Sequence, residues 1–350
     1  MSITAIGMDI GKRVFHLIGH DAKGHEVWRR ALRRVEVLPF MVQVPACRVV
    51  IEACGGSNYW GRELERLGHE VVRLPTQHVR AYVRGNKHDY NDADALLEAA
   101  RRVRHRSVAL KGLEAQDVQS LHRVRQSYVK QRTSLVNQSR GLLAEYGVVL
   151  PAGIAAFRRE VPKILASEDP RITAVLRELL STQWEWLKLV EVQLSTIERR
   201  LRQVERDDPR MGLLRGMLAG VGTLTATALV SRIGDGRDFR RGRDLSAWLG
   251  IVPRQHSTGG KTKLLGISKR GDPYLRTLFI HGARTVVQHA ARKTDPFSAW
   301  VNRLRARRGM NIAVVAVANK NARIAWALLH KQAHGLSIQP VSVACGEAVE

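Results

Sequence analysis

The apolar positions change period along the chain, and each change predicts a different kind of element. The first 75 residues carry short β-prone runs at Ile3–Lys12, Val14–Ile18, Glu26–Ala31, Arg48–Ile51 and Glu70–Leu74, with a helical run from Tyr59 to Leu67 between the last two. The first three, closely spaced, predict an antiparallel meander. Strand, helix and strand at the later spacing predict a parallel pair with a crossover. Ala93, Leu96, Leu97, Ala100 and Val103 then recur at helical spacing.

From residue 113 the pattern lengthens. Leu113 to Tyr146 reads as one long helix, with Leu121, Tyr128, Leu135 and Leu142 seven apart and Gly141 weakening its end. The stretch from Pro151 to about Pro170 reads as a break. Ile172 to Arg206 is a second long helix, whose Leu187, Val190, Leu194, Ile197, Leu201 and Val204 alternate spacings of three and four, a coiled-coil seam. An intramolecular helical hairpin and a coil shared between protomers both satisfy this pattern. The runs from Pro273 through Leu278–Ala291, at Pro296–Arg307 and at Met310–His334 predict further helices, and the tail from Gln339 reads as disordered. The expected class is α/β followed by all-α. Its expected divisions are 1–110, a long-helix region 111–207, a mainly helical third part 208–337 and a tail 338–350.

Charge narrows the class of partner. Lys and Arg number 57 against 32 Asp and Glu, a net charge of +25, and so basic a chain implies a polyanion, most commonly nucleic acid. No long apolar run, signal peptide or lipidation motif stands out, which disfavours a membrane partner. Three unspaced cysteines, Cys47, Cys54 and Cys345, fit a reducing cytosol better than a disulfide or zinc framework. Aromatic residues are 5% of the chain, so stacking on an aromatic platform is not the expected binding mode.

The acids carry the first candidate chemistry. Asp89 and Asp92 lie three apart where a helix begins and share a face. Asp9 and Glu52 each end a predicted strand, where ligands of open α/β sheets sit. Paired carboxylates repel unless a proton or a cation lies between them, and Mg²⁺ or Mn²⁺ suits oxygen ligands. Plain helix capping by Asp competes with this reading. Asp9-Ile-Gly-Lys also resembles the phosphate loop of actin-like ATPases, but Asp235 in Ile-Gly-Asp-Gly is a poor second loop.

The second candidate lies between Gly250 and Arg276. Lys261, Lys263, Lys269, Arg270 and Arg276 stand among glycines and hydroxyls, a composition suited to gripping phosphate. Ser257, Thr258, Thr262 and Ser268 are nucleophile candidates by type, and His256 is the adjacent base. Upstream, Gly220-Val-Gly222 before a small-residue helix resembles half of a helix-hairpin-helix, exposing backbone N–H groups to phosphate. A plain helix turn is the competing reading.

Taken together, Met-Asp9-Ile-Gly-Lys, Ile-Glu52-Ala-Cys-Gly, Asn-Lys-His-Asp89-Tyr-Asn-Asp92-Ala and Gly-Ile-Ser-Lys-Arg-Gly-Asp-Pro-Tyr-Leu-Arg resemble the DEDD-type insertion-sequence transposases over nearly the whole chain. The Ser-x-Gly-Gly-Lys form at Ser257 resembles the Coxiella-type subgroup. The resemblance implies a ribonuclease H/resolvase-like first domain, with Asp9, Glu52, Asp89 and Asp92 as catalytic metal ligands. It also implies Ser257 as nucleophile, with Thr258 its one-residue alternative. A structured guide RNA of the bridge or seeker kind, duplex DNA at element ends and target, a dimeric or tetrameric assembly and a nucleoid-associated bacterial cytoplasmic setting follow from the same resemblance. Asp94 matches no family acid. The acids lie far upstream of Ser257, so the two halves would have to meet in space. The competing functions are a metal-dependent, Holliday-junction-type endonuclease in which Ser257 is structural, and a non-catalytic nucleic-acid-binding protein.

Overall fold

The computed structural model describes residues 3–83, 88–101 and 107–336. It divides into two compact units, residues 1–113 and 114–350, a mixed α/β unit followed by a helical one. Asn86, Lys87, Val103, Cys345 and the tail 338–350, all part of the expectations above, lie outside the described residues.

The first unit is a five-stranded sheet in the order β3-β2-β1-β4-β5. Its strands are β1 (Ala5–Asp9), β2 (Val14–His20), β3 (Glu26–Arg33), β4 (Arg48–Glu52) and β5 (Glu70–Leu74). The meander β1-β2-β3 is antiparallel, and β1-β4-β5 is parallel, as the run spacing predicts. Helix α1 (Val37–Gln43) precedes β4, and α2 (Ser57–Arg66) makes the crossover to β5. One short turn, α3 (Thr76–Val79), leads toward α4 (Asp89–Arg101).

Alternation along β1 divides the core. Ile6 and Met8 face α1 and α2, in a cluster with Phe15, Leu17, Met41, Trp60 and Leu64. The other face holds Ile18, Val50 and Leu74 against Ala93, Leu96 and Leu97 of α4. Successive strand residues point to opposite faces, so Gly7 and Asp9 both lie on the α4 side. A Cβ on Gly7 would sit 2.1 Å from the Ala93 carbonyl oxygen. The glycine is what lets α4 lie this close to the sheet.

The second unit opens with α5 (Leu113–Glu145), α6 (Ile154–Ala166) and α7 (Ala174–Asp207). Helix α6 replaces the expected break. Ala156, Phe157 and Val161 form a buried stripe, and Pro162 sits exposed within the helix. The stripe outweighs the one backbone hydrogen bond a proline removes. The α7 seam is buried inside the single chain. Leu187 joins Val136, Leu143, Phe157 and Val161, and Ile197 and Leu201 join Val118. Arg125 of α5 pairs with Glu198 of α7 at 2.7 Å, and Arg158 of α6 with Glu191. Of the two arrangements open to the seam, these residues adopt the intramolecular one.

Helices α8 (Pro209–Met217), α9 (Thr223–Ile233) and α10 (Gly242–Trp248) follow, then a hairpin of β6 (Pro253–Thr258) and β7 (Lys261–Ile267). Helices α11 (Pro273–His289), α12 (Pro296–Arg308) and α13 (Met310–Ala333) close the unit. Helix α13 is long and apolar enough to cross a membrane by length and composition alone. Here it packs in the core, with Ala313, Val314, Val317, Ala318, Ala322 and Leu329 buried.

If the α7 seam is internal, Leu194→Asp with Leu201→Asp places two charges in a closed core. The double variant should lose several kcal/mol, of the order of two large-to-small core substitutions plus the burial of charge. Thermal unfolding measures this. A midpoint near wild type, with the particle mass lowered, would instead assign these residues to an interface.

Candidate active site

Four acids converge at one edge of the first unit. Asp9 ends β1, Glu52 ends the neighbouring parallel β4, and the Met8–Ile51 pairing sets the two ends side by side. Asp89 begins α4 and Asp92 lies one turn on. All three of the others act electrostatically on Asp9, whose pKa is pushed from 3.8 to about 6, by burial first and then by Asp92, Asp89 and Glu52. The three segments named from sequence therefore meet.

His16 joins them and was not singled out from the sequence. It faces Asp9 across the β1–β2 pairing, on the same side of the sheet. His16, Asp9 and Asp89 offer ligand atoms within 4.8 Å of one another. His16 Nδ1 is 3.5 Å from Asp89 Oδ2, yet it is buried and among the described residues has hydrogen-bond geometry to no partner. The Tyr90 ring packs edge-on against the His16 ring at 4.8 Å. An orphaned imidazole nitrogen among mutually repelling carboxylates fits a divalent cation, since neutral imidazole and carboxylate are both metal ligands. Asp94 lies elsewhere. It is 3.6 Å from His20, whose Nδ1 accepts from Arg101 at 2.9 Å.

The basic segment of the second unit is a hairpin rather than an open loop. Gly259 and Gly260 form its two-residue turn, both at positive φ (55° and 76°), as a type I′ turn requires. Every residue of β6 is exposed. Ser257 Oγ accepts from Gln255 Nε2 at 2.7 Å. The register pairs Ser257 with Thr262, His256 with Lys263 and Thr258 with Lys261. Directly paired residues share a face, so His256, Thr258, Lys261 and Lys263 lie on the face opposite Ser257. The adjacent base and both nearby cations therefore flank Thr258 instead.

The remaining basic positions divide. Lys269 and Arg270 are exposed. Arg276 is half-buried and donates to the Leu249 carbonyl oxygen at 3.1 Å, which ties down the chain before the hairpin. Asp272 of the same motif caps α11, accepting from Tyr274 N and Leu275 N, and pairs with Arg232 at 2.6 Å. Tyr274 Oη lies 2.8 Å from Nδ1 of buried His122, whose Nε2 lies 3.0 Å from Thr227 Oγ1. Burial and the nearby Arg232 and Arg125 push the His122 pKa down to about 4, so this joint of α5, α9 and α11 is neutral.

The first glycine of the Gly-Val-Gly turn is packed against protein. A Cβ on Gly220 would sit 2.5 Å from the Gly282 carbonyl oxygen of α11. Gly222 caps α9 and is open, but the next residue, Thr223, donates through Oγ1 to the buried Glu205 carboxylate at 2.5 Å. A carboxylate of this chain thus stands at the helix start, where a phosphate was expected. Gly220 answers to helix packing.

Comparison with known proteins follows the same division. A transposase family model matches residues 6–148, and a model of the IS116/IS110/IS902 transposase family matches 216–298. The chain is 46% identical over 333 residues to a probable family 20 transposase of Pseudomonas aeruginosa, covering 95% of this chain and 98% of that protein. It is 44% identical to the transposase for insertion sequence element IS1111A of Coxiella burnetii, over 94% of this chain and 90% of that one. It is 36% identical to the transposase for element IS1328 of Yersinia enterocolitica, over 93% and 96%.

The acid cluster has a pH signature. The fold favours protonated Asp9, so in metal-free protein its contribution to stability is complete below about pH 4 and is lost as pH rises through about 6. Asp9→Asn should therefore raise the urea midpoint at about pH 8 and have little effect near pH 4. Mg²⁺ should stabilise the wild type at the higher pH more than the variant. A variant advantage that grows as pH falls would contradict the crowding of acids.

Proposed function

This chain belongs to the IS116/IS110/IS902 family of transposases, and on that premise we propose that Asp9, Glu52, Asp89 and Asp92 are its catalytic metal ligands. The chain is an insertion-sequence transposase, an enzyme that acts on DNA. The observation that carries the proposal is the meeting of β1, β4 and α4 at one raised-pKa carboxylate. A sheet with acids at adjacent strand ends and a helix laid across them supports the ribonuclease H/resolvase-like reading of this unit. His16 joins the set as a nitrogen ligand. Mg²⁺ or Mn²⁺ held there would stabilise charge on the attacking and leaving oxygens of a phosphodiester.

The second half of the proposal is covalent. Ser257 Oγ attacks phosphorus, a serine–phosphate bond forms, and the bond to the departing strand oxygen breaks. That oxygen leaves with a proton, and the Oγ proton is lost to solvent or a base. Attack by another strand's hydroxyl reverses the step and frees the serine, so strands exchange without ATP. Exposure of Ser257 beside a Gly-Gly turn supports this, because the backbone offers nothing that blocks a phosphate. A structured RNA is the guide in this reading, and the +25 charge supplies the means to hold RNA and DNA together. Lys261, Lys263, Lys269 and Arg270 are the phosphate contacts nearest the hairpin turn.

One observation favours a second reading. Ser257 shares its face with Gln255 and Thr262, not with His256 or the lysines. A metal-dependent, junction-type endonuclease would need the acids and no covalent serine.

Assembly uses a different face of α7 from the buried seam. Val175, Leu179, Trp186 and Leu189 are exposed, and with Thr182 they repeat at spacings of four and three along one side of the helix. We assign the homo-oligomer contact to this stripe. Trp186→Asp with Leu189→Asp should leave the unfolding temperature near wild type and lower the mass seen by light scattering. Unchanged mass would remove the stripe from the assembly.

The chemistry is tested by trapping. Wild-type protein, guide RNA, labelled DNA and Mg²⁺ should give a denaturation-resistant protein–DNA adduct. Asp9→Asn, Glu52→Gln, Asp89→Asn and Asp92→Asn should each lower recombination by at least about a hundredfold while keeping the fold. Ser257→Ala should lose the adduct and keep nucleic-acid binding, whereas Thr258→Ala keeps some adduct. Loss only in Thr258→Ala would move the nucleophile to the lysine-bearing face. Clean metal-dependent cleavage with no wild-type adduct would establish the endonuclease.

A further inference from the structure

A cavity of the second unit, lined mostly by residues outside the sites described above, lies between the start of α10 and the outer face of α13. It is an open groove of about 1060 Å³, at the upper edge of the usual range for small-molecule sites, about 300–1,000 Å³. Its floor is Ile251, Val315, Ala316 and Asn319. Its walls carry five cations, Arg241, Arg243, Lys320, Arg323 and Lys331, and among the described residues no carboxylate lines it.

These cations are held in place or left available. Lys320 is fixed with its ammonium 4.5 Å from the Trp300 ring centre and 5.3 Å from that of Phe297. Gly242 lies against the backbone of Arg323, where a Cβ would sit 2.8 Å from its carbonyl oxygen. That contact holds the start of α10 to α13 and sets Arg241 and Arg243 beside Arg323. Arg241 has Asp244 at 3.4 Å, an exposed pair of little energetic weight. Among the described residues Arg243, Arg323 and Lys331 have no acidic partner within ion-pair distance. Like charges gathered this way repel and raise the cost of folding unless an anion is present.

We infer that this groove binds the phosphodiester backbone of a single nucleic-acid strand, which it delivers to the root of the Ser257 hairpin. The inference rests on the reading above that the chain acts on nucleic-acid strands. The occupant is chosen by charge, since five cations without a lining acid match a polyanion. Concavity favours one strand over a duplex, whose rounded exterior would meet only the rim. Direction comes from Pro253, which lines the groove and is also the first residue of β6. Four residue steps of extended strand, roughly 13 Å, separate it from Ser257. The apolar floor meets sugar and base edges. Stacking is not used, because Trp300 is taken up by Phe297 and Lys320, and Trp326 by His330 at 4.9 Å.

The test is equilibrium binding of fluorescent oligonucleotides of one sequence, as single-stranded DNA, duplex DNA and single-stranded RNA, over a series of salt concentrations. The variant is Arg243→Ala, Arg323→Ala and Lys331→Ala combined. A control of equal charge change is Arg159→Ala, Lys163→Ala and Lys188→Ala, on the exposed faces of α6 and α7. The groove variant should bind single strands at least tenfold more weakly at physiological salt. The magnitude of its log–log salt slope should fall by about 2, at 0.7 per lost single-strand phosphate contact. The control should lose less on both measures. A larger loss on DNA than on RNA assigns the groove to the cleaved strand, and the reverse assigns it to the guide. Losses equal to the control's, or confined to duplex DNA, overturn the proposal. So does unchanged affinity with a lowered particle mass, which makes the groove a contact between copies. Adduct formation at Ser257 is a separate readout, so this proposal and the reading it rests on can fail independently.

Discussion

The close approach of α4 to β1 is the constraint on which the acid cluster depends. Gly7 has no side chain, so the Ala93 carbonyl can lie where a Cβ would otherwise be. Two residues on, alternation returns the chain to the same face at Asp9, and one turn before Ala93 the helix begins at Asp89. The glycine thus sets the distance between carboxylates that no direct attraction would bring together. Ile18, Val50, Leu74, Leu96 and Leu97 supply the apolar burial that opposes their repulsion. Asp9 records the balance, since its raised pKa is the free energy of repulsion and desolvation left for a proton or cation to relieve.

The second unit uses close backbone contact for a different end. Gly220 and Gly282 meet so closely that a Cβ on either would strike the other's carbonyl, and Asn321 of α13 donates to the Ala219 carbonyl oxygen at 2.8 Å beside them. Three helices are locked at one turn. The neutral His122–Tyr274–Thr227 joint does the same between α5, α9 and α11. The Gly-Asp-Pro-Tyr-Leu-Arg motif, whose Arg276 looked suited to phosphate, is mostly spent on this framework. Asp272 caps, Tyr274 bonds to His122, and Arg276 holds the Leu249 carbonyl.

What was legible in the sequence follows from period. A two-residue repeat placed strands and put acids at their ends, because strand termini and alternation are local properties. His16 carried a signal that went unread. In an antiparallel pair joined by a short turn, the partner of Asp9 can be counted across the turn, and it is His16. The helix α6 was hidden because a proline reads as a breaker, although Phe157 and Val161 before Pro162 and Ile164 and Leu165 after it keep helical spacing across it. The α7 seam was legible as a seam but not as to its partner, since an apolar stripe has the same spacing whether it meets its own chain or another. Gly220 could not be sorted from sequence, because close packing and phosphate approach both demand a missing Cβ.

The hairpin and the groove behind it present opposite physical problems. A two-stranded ribbon is marginally stable alone, and this one leaves Leu264 and Leu265 exposed along with all of β6. Its order comes from its root. There Ser268 N donates to the Val252 carbonyl oxygen and Lys269 N to that of Gly250. Gly271 fits against the Trp248 carbonyl, and Gly250 against the backbone of Arg270. The tip bearing Ser257 is thereby free to follow a strand, while its base is fixed to the same α10–α13 framework that gathers the groove's cations. In the covalent chemistry proposed above, a nucleophile that must release one strand and accept another would gain from such a mounting. The phosphate would be held by rigid charge, and the proposed attacking hydroxyl is carried by the element with the least packing to lose.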